Sequence, residues 1–493
     1  MIKSDKGRVL AALYVEKGRA GKWIFSKCTV GVLVTPLRFP SALFNKITVA
    51  AFLPWRGSFH RKACKDRAST PPALSVQKHQ NLFSSFGPGM KRVSGYKPPL
   101  AARPSPIYSW FEIIKRLLIS IISMSCFELT CESKSSLART GVLSTVHNKL
   151  ETPFFMPVAT KGAVKFVSHP QLNEMNVDCL ISNAFINYLK PGLEHIKKAG
   201  GLHNFFGWDK SLFTDSGGFQ LLSEDFVDHV TDKGVFFRNP FDKSIHLITP
   251  ENAVQIQNSL GSDVAMCLDH VLHFGKSRLD YFDAMVRTTE WALRCKEAHK
   301  NPNQLLFGIT QGGTFLDLRK KSTIALEAMD FDGLAFGGLC IGEDPKTMYD
   351  VTEFSKKFVS KEKPIYLMGV GSPLEILNLV ERGVDIFDSA YPTRMARHGK
   401  IFTHTGCVQI NRSKYKEDFS SLDSECDCFV CKSHSKSYLH HLFKTYEQNG
   451  LMLLSYHNTF FIANLIKEIR AAIKENNFEK FKKEFEFNYK NKK

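Results

Sequence analysis

From residue 154 onward the chain alternates short apolar runs with longer segments whose apolar residues return every third or fourth position. The runs span 154–159, 179–183, 212–215, 264–269, 305–311, 334–338, 365–370 and 384–388. Amphipathic stretches fill several of the gaps, at 283–299, 315–329 and 373–382. An apolar run without polar alternation predicts a strand covered on both faces, and strand–helix alternation predicts a parallel sheet. Eight such units within about 250 residues predict a (β/α)8 TIM barrel.

The predicted strands end on Asn183, Asp215, Asp269, Gln311, Gly338, Gly369 and Asp388. One Asp in that place is usually a helix cap. Several polar ends in the same relative position instead imply one shared mouth, because barrels of this kind carry their chemistry at the C-terminal ends of the strands. The last of them opens the stretch V-D-I-F-D-S-A-Y-P-T-R-M-A-R-H-G at 384–399. There a strand stops on the carboxylate of Asp388 and runs into an expected basic loop with Arg394, Arg397 and His398. That juxtaposition suits an anionic substrate.

Composition fits a soluble globular protein: of 493 residues, 43% are hydrophobic and 23% charged. The net charge of +18 changes meaning once located. Residues 1–123 hold 21 Lys and Arg against 4 Asp and Glu, and the remaining 370 residues hold 45 against 44. An RNA site in the main body must therefore be a local patch. The acid-poor segment 1–123 suits an organelle transit peptide, or lies outside the working protein with translation starting at Met124. The second is preferred, because organised patterning begins just after Met124. Its most apolar piece, 117–122, is too short to span a membrane, and no membrane association is expected. The expected domains are this extension and a single body over 124–493, which includes a metal-binding subdomain at about 400–460 and a C-terminal helix.

The 12 cysteines do not form a disulfide scaffold. Most lie singly in apolar runs, where reduced core cysteine is usual. Cys426, Cys428 and Cys431 cluster instead and supply three thiolates for one tetrahedral zinc. By spacing, the fourth ligand is open among His434, His440, His441 and His457. Four protein ligands would leave no open position, so the zinc would be structural.

T-D-S-G-G-F-Q at 214–220, F-R-N-P at 237–240, M-C-L-D-H at 266–270 and Q-G-G at 311–313 follow one another along the body. G-G-L-C-I-G-E at 337–343, L-M-G-V-G at 367–371, P-T-R at 392–394 and C-D-C-F-V-C at 426–431 complete the series. Together they resemble the tRNA-guanine transglycosylase (queuine tRNA-ribosyltransferase) family, in its bacterial type. The resemblance covers the whole body and none of residues 1–123.

That resemblance implies exchange of guanine at the wobble position of tRNAs with G-U-N anticodons for a 7-deazaguanine base, in queuosine biosynthesis. It implies Asp388 as the nucleophile that forms a covalent Asp–ribose intermediate and Asp215 as general acid/base. A carboxylate suits an oxocarbenium-like centre, and two displacements divide one hard step. The base would meet Ser216, Gly217, Gly218, Phe219, Asp269, Gln311, Gly338, Leu339 and Met368. The tRNA would meet Gly369, Val370, Gly371, Ser372, Pro373, Leu374 and Glu375, then Thr393, Arg394, Met395, Ala396 and Arg397. The fourth zinc ligand becomes His457, and a cytoplasmic homodimer is implied, or an organelle location if 1–123 is a transit segment.

The chain departs from the family at three places. The usual G-N-T segment is Ser182-Asn183-Ala184, so only Asn183 carries over. Val271 stands where bacterial members have Cys, as in eukaryotic catalytic subunits. Ile341 is bulky like the bacterial valine, where eukaryotic members have Gly. Both positions flank the 7-substituent, and Ile341 favours the aminomethyl precursor over full queuine. A non-catalytic partner subunit is the rival expectation, and the presence of both Asp388 and Asp215 counts against it.

Overall fold

The computed structural model describes residues 125–217 and 226–491. The expectations for residues 1–123, Gly218 and Phe219 therefore lie outside the described residues. All eight predicted strands form: β1 (Phe154–Pro157), β2 (Cys179–Asn183), β3 (Ser211–Asp215), β4 (Val264–Met266), β5 (Leu305–Thr310), β6 (Gly333–Phe336), β7 (Ile365–Leu367) and β8 (Ile386–Ser389). They pair in parallel in the order β1-β8-β7-β6-β5-β4-β3-β2. A parallel bridge between Val158 and Ile181 brings β1 against β2, with Ala159 N donating to Ile181 O at 2.8 Å, and so closes the barrel.

Alternate residues of each strand fill the interior: Phe154 and Met156, Cys179 and Ile181, Phe213, Val264 and Met266, Phe307 and Ile309, Ala335, Tyr366, Ile386. Their neighbours, such as Leu180, Leu306, Leu334 and Phe387, face the outer helices. Both faces are dry, which is why the strands read as unbroken apolar runs. Burying a side chain such as Phe213 contributes about 1.5–3 kcal/mol.

Among the helices are α1 (Pro250–Leu260), α2 (Arg278–Ala298), α3 (Leu316–Ala328), α4 (Pro345–Lys356), α5 (Pro373–Val380), α6 (Tyr391–Arg397), α7 (Gln448–Lys474) and α8 (Phe478–Asn491). Their starts follow local chemistry. Thr249 and Asp344 cap α1 and α4 ahead of a proline, and Ser277 and Asp280 form a capping box at α2. No described helix is long and apolar enough to cross a membrane.

Two three-stranded antiparallel sheets escaped the sequence pattern. A three-stranded sheet, Phe127–Glu132, Arg139–Ser144 and Lys149–Thr152, precedes β1 and sends Phe127, Leu143 and Leu150 into the barrel core. It is pinned by polar groups at the N-terminal ends of the strands. Arg139 pairs with Asp385 at 2.6 Å, both buried, and Asp263 accepts from His147 at 2.8 Å and His203 at 3.1 Å. Main-chain N–H groups of His147 and Leu212 also donate to Asp263, so its lone pairs are fully used and the trio serves the fold. A second sheet, Val227–Thr231, Gly234–Arg238 and Ile245–Ile248, is inserted between β3 and α1.

Two expectations need correction. Asp269, Gln311, Gly338 and Gly369 sit in the loops just beyond β4, β5, β6 and β7 rather than on the strands. The stretch expected as a basic loop, Thr393 to Arg397, is helical and belongs to α6, because Pro392 stands in its first turn, where a missing N–H costs nothing.

Candidate active site

Asp388 lies on β8 with Oδ1 accepting from the Tyr366 hydroxyl at 2.6 Å and from Gly369 N at 3.0 Å. Burial raises its pKa, opposed by those two hydrogen bonds. Burial and the Asp388 charge hold Tyr366 far above the usual phenol range, so it acts as a donor. Edge contacts from Phe213 fix the Tyr366 ring, their centroids 6.1 Å apart. None of the hydrogen bonds of the described residues ends on Asp388 Oδ2.

Asp215 ends β3, one strand over from Asn183 at the end of β2, in register with it. Its Oδ2 accepts from Asn183 Nδ2 at 2.8 Å and its Oδ1 from Ala184 N at 3.2 Å. Asn183 Oδ1 in turn caps the short helix Ala184–Asn187 through Ile186 N at 2.7 Å. Burial pushes the Asp215 carboxyl to about 7, with the charge of Asp388 adding to the rise. The two carboxylates thus share one electrostatic environment at the mouth.

Between them lie the groups expected to read a base. Gln311 Nε2 donates to Asp269 Oδ2 at 2.7 Å, both side chains buried. Burial raises Asp269 to about 6. Gly338 has φ +64, and a Cβ there would overlap Gln311, so only glycine lets the backbone approach so closely. Leu339 is buried, Met368 and Ile341 half-buried. The Glu343 carboxylate accepts from Cys340 N and, at 3.1 Å, from Ile341 N. Ser216 and Gly217 line an apolar hollow with Phe185, Phe226, Val235, Phe237 and Leu268.

The residues expected at the tRNA divide by exposure. Gly369 and Arg394 are exposed, and Ser372, Leu374, Glu375, Met395 and Arg397 are half-buried. Val370, Gly371, Pro373, Thr393 and Ala396 are buried. Those five build the frame on which the others are displayed.

The cysteine cluster assembles on a hairpin-and-helix module formed after β8 by Lys400–Thr403, Gly406–Gln409, Phe429–Ser433 and α7. Cys426, Cys428, Cys431 and His457 place their ligand atoms within 4.8 Å of one another. His457 Nδ1 lies 3.9, 3.4 and 3.3 Å from the three sulfurs. Its Nε2 is 2.7 Å from Phe402 O, which fixes the proton there and leaves Nδ1 free to bind a metal. His440, by contrast, is engaged with Ile410 O at 2.7 Å. Three thiolates and an oriented imidazole fit a metal ion that prefers soft tetrahedral donors. The neighbouring Asn458 donates to Pro392 O at 3.0 Å and Lys400 O at 3.1 Å, tying α7 to α6.

Sequence reasoning missed Tyr366 and the partners of Glu343. Tyr366 reads as one more apolar residue of a strand, and its role needs the register that sets it beside β8.

The chain matches the family model "Queuine tRNA-ribosyltransferase" over residues 132–491. It is 45% identical over 357 residues to the queuine tRNA-ribosyltransferase of Fusobacterium nucleatum, covering 72% of this chain and 96% of that protein. To that of Caldanaerobacter subterraneus it is 46% identical over 350 residues, 71% and 93% of the two chains. To that of Francisella tularensis subsp. novicida it is 44% identical over 367 residues, 74% and 100%.

Proposed function

The chain belongs to the queuine tRNA-ribosyltransferase family, and we propose that it replaces guanine at the tRNA wobble position with a 7-deazaguanine base in queuosine biosynthesis. The observation that carries this is the pair of half-buried carboxylates at the mouth, Asp388 and Asp215, held by different donors. Asp388 Oδ2 attacks C1′ of the wobble ribose. The C1′–N9 bond breaks, its electron pair leaves on guanine, and protonated Asp215 supplies the proton. In the second half the incoming base gives its own N9 proton to the ionised Asp215 as it bonds to C1′ and displaces the Asp388 carboxylate. Asp215, poised at about 7, suits both directions near neutral pH. Asp269, Gln311 and the Gly338–Leu339 backbone hold the edge of the base, which is how a pocket rejects other purines.

Arg394 and Arg397 on α6, with the exposed turn at Gly369, grip the anticodon. Zinc held by Cys426, Cys428, Cys431 and His457 secures that platform, because Asn458 follows His457 directly on α7 and binds the carbonyl of Pro392 in α6. With four protein ligands it is structural. The assembly is a homodimer in the cytoplasm, and Ile341 selects the aminomethyl precursor as the incoming base.

The test is base exchange on a tRNA with a G-U-N anticodon, each deazaguanine offered in turn, for the protein and for Asp388→Asn. Exchange by the protein and no denaturant-resistant tRNA adduct with Asp388→Asn is the expected result. An adduct that survives the substitution would remove Asp388 from the nucleophile's role.

A further inference from the structure

Arg319, on α3, is completely buried. All three of its recorded guanidinium hydrogen bonds end on main-chain carbonyls: Nε to Gly313 O at 2.6 Å, Nη2 to Gly338 O at 3.2 Å and Nη1 to Thr310 O at 3.4 Å. The carboxylate whose charge it feels most is Glu343, at the far end of the loop that Gly338 begins. A cation in such a place is costly, and an apolar residue would fill the inner face of α3 without that cost. The core alone does not explain a guanidinium here.

The three carbonyls do. Thr310 ends β5 and Gly313 closes the Q-G-G turn that carries Gln311, while Gly338 opens the turn after β6 that carries Leu339. The planar fork therefore bridges two loops from different strands, at the two points flanking the edge of the base pocket. The same helix holds Gln311 a second way, its main-chain N–H donating to Ser322 Oγ at 3.0 Å. The neighbouring backbone leaves no slack, since a Cβ on Gly312 would lie 2.9 Å from Arg319 N.

We propose that Arg319 is a positioning residue for base recognition, a buried clamp that sets the spacing between Gln311 and the Gly338–Leu339 backbone. It does not touch the base and takes no part in proton transfer. A lysine keeps the charge but cannot satisfy two loops at once through a fixed fork, so Arg319→Lys should fail much as Arg319→Gln does.

The proposal rests on the mouth being a purine pocket, and the experiment separates the two. Guanine binding is titrated on the full-length protein, on Arg319→Lys and on Arg319→Gln, with KM for tRNA, zinc content and Tm measured on each. Expected are guanine binding by the unaltered protein, a loss of about tenfold or more in both variants, and a KM for tRNA within about twofold. No guanine binding by the unaltered protein would overturn the pocket itself. Unchanged guanine affinity in the variants would overturn the clamp, as would a loss of guanine and tRNA affinity in step with Tm. Failure of both variants to fold would assign Arg319 to the core alone and overturn it too.

Discussion

The Tyr366 hydroxyl donates to Asp388 Oδ1 at 2.6 Å from inside the barrel, on the same oxygen that receives Gly369 N at 3.0 Å. Two donors on one oxygen fix the plane of the carboxylate and, among the described residues, leave Oδ2 for the proposed attack. Such bonds also favour the ionised form against the burial that raises the pKa of Asp388. Tyr366→Phe should keep the ring packed among Phe213 and its neighbours while losing the donor. Adduct formation should slow by roughly 10- to 100-fold, from a charge-assisted hydrogen bond of about 1.5–3 kcal/mol. A single-turnover measurement of the covalent tRNA adduct decides it, and an unchanged rate would leave Tyr366 a core residue only.

The barrel was legible because each of its strands is covered on both faces, so an apolar run without alternation marks it. The carboxylates were legible for a related reason: a polar residue closing an apolar run has few other uses. Tyr366, Glu343 and Arg319 were not, because each acts through a partner on another element. The sequence predicts a loop where α6 forms, since Pro392 and the arginines after it read as a turn, whereas a proline in the first turn of a helix is unopposed. The sheet at Val227–Thr231 and its neighbours was missed because its outer residues are half-exposed and its alternation brief.

Asp215 gives a pH dependence with a definite sign. Its carboxyl is raised to about 7 in the folded state from an ordinary value of 3.8. Between those values the folded protein binds more protons than the unfolded chain, so this group's contribution to stability falls as pH rises and levels off above about 7. Asp215→Asn should therefore be more stable than the unaltered protein, by a margin that grows from about pH 4 to about pH 7 and reaches a few kcal/mol at about 1.4 kcal/mol per unit. Urea unfolding across that range measures it. A margin constant with pH would mean that Asp215 is not held protonated by the fold.

The link from His457 through Asn458 to Pro392 predicts that metal and RNA binding fail together. Removing zinc with a chelator, or substituting Cys428→Ser, should lower Tm by several degrees and weaken tRNA binding by about tenfold or more. Guanine should still bind, because the proposed base pocket lies on the barrel itself. Calorimetry, filter binding and guanine titration on the same sample check the three parts. Loss of turnover with Tm and tRNA affinity intact would instead point to a catalytic metal.

The proposed choice of incoming base rests on the loop after β6. Ile341 is half-buried there, and its N–H is held by Glu343 at 3.1 Å, which fixes the backbone that carries its branched side chain. Val271, on the loop after β4, is buried and adds a second apolar wall. An aminomethyl group fits beside such walls more easily than a cyclopentenediol, whose hydroxyls would also lose water without a partner. The protein should therefore use 7-aminomethyl-7-deazaguanine in preference to queuine. Ile341→Gly should raise kcat/KM for queuine by about tenfold or more, because relief of a steric block is commonly worth 1–3 kcal/mol. The same change should leave the aminomethyl base within about threefold, since Asp269, Gln311 and Gly338 still hold the shared purine edge. Competition between the two bases for one tRNA measures the ratio directly. A preference for queuine in the unaltered protein would show that Ile341 yields, and would shift the selecting role to Val271.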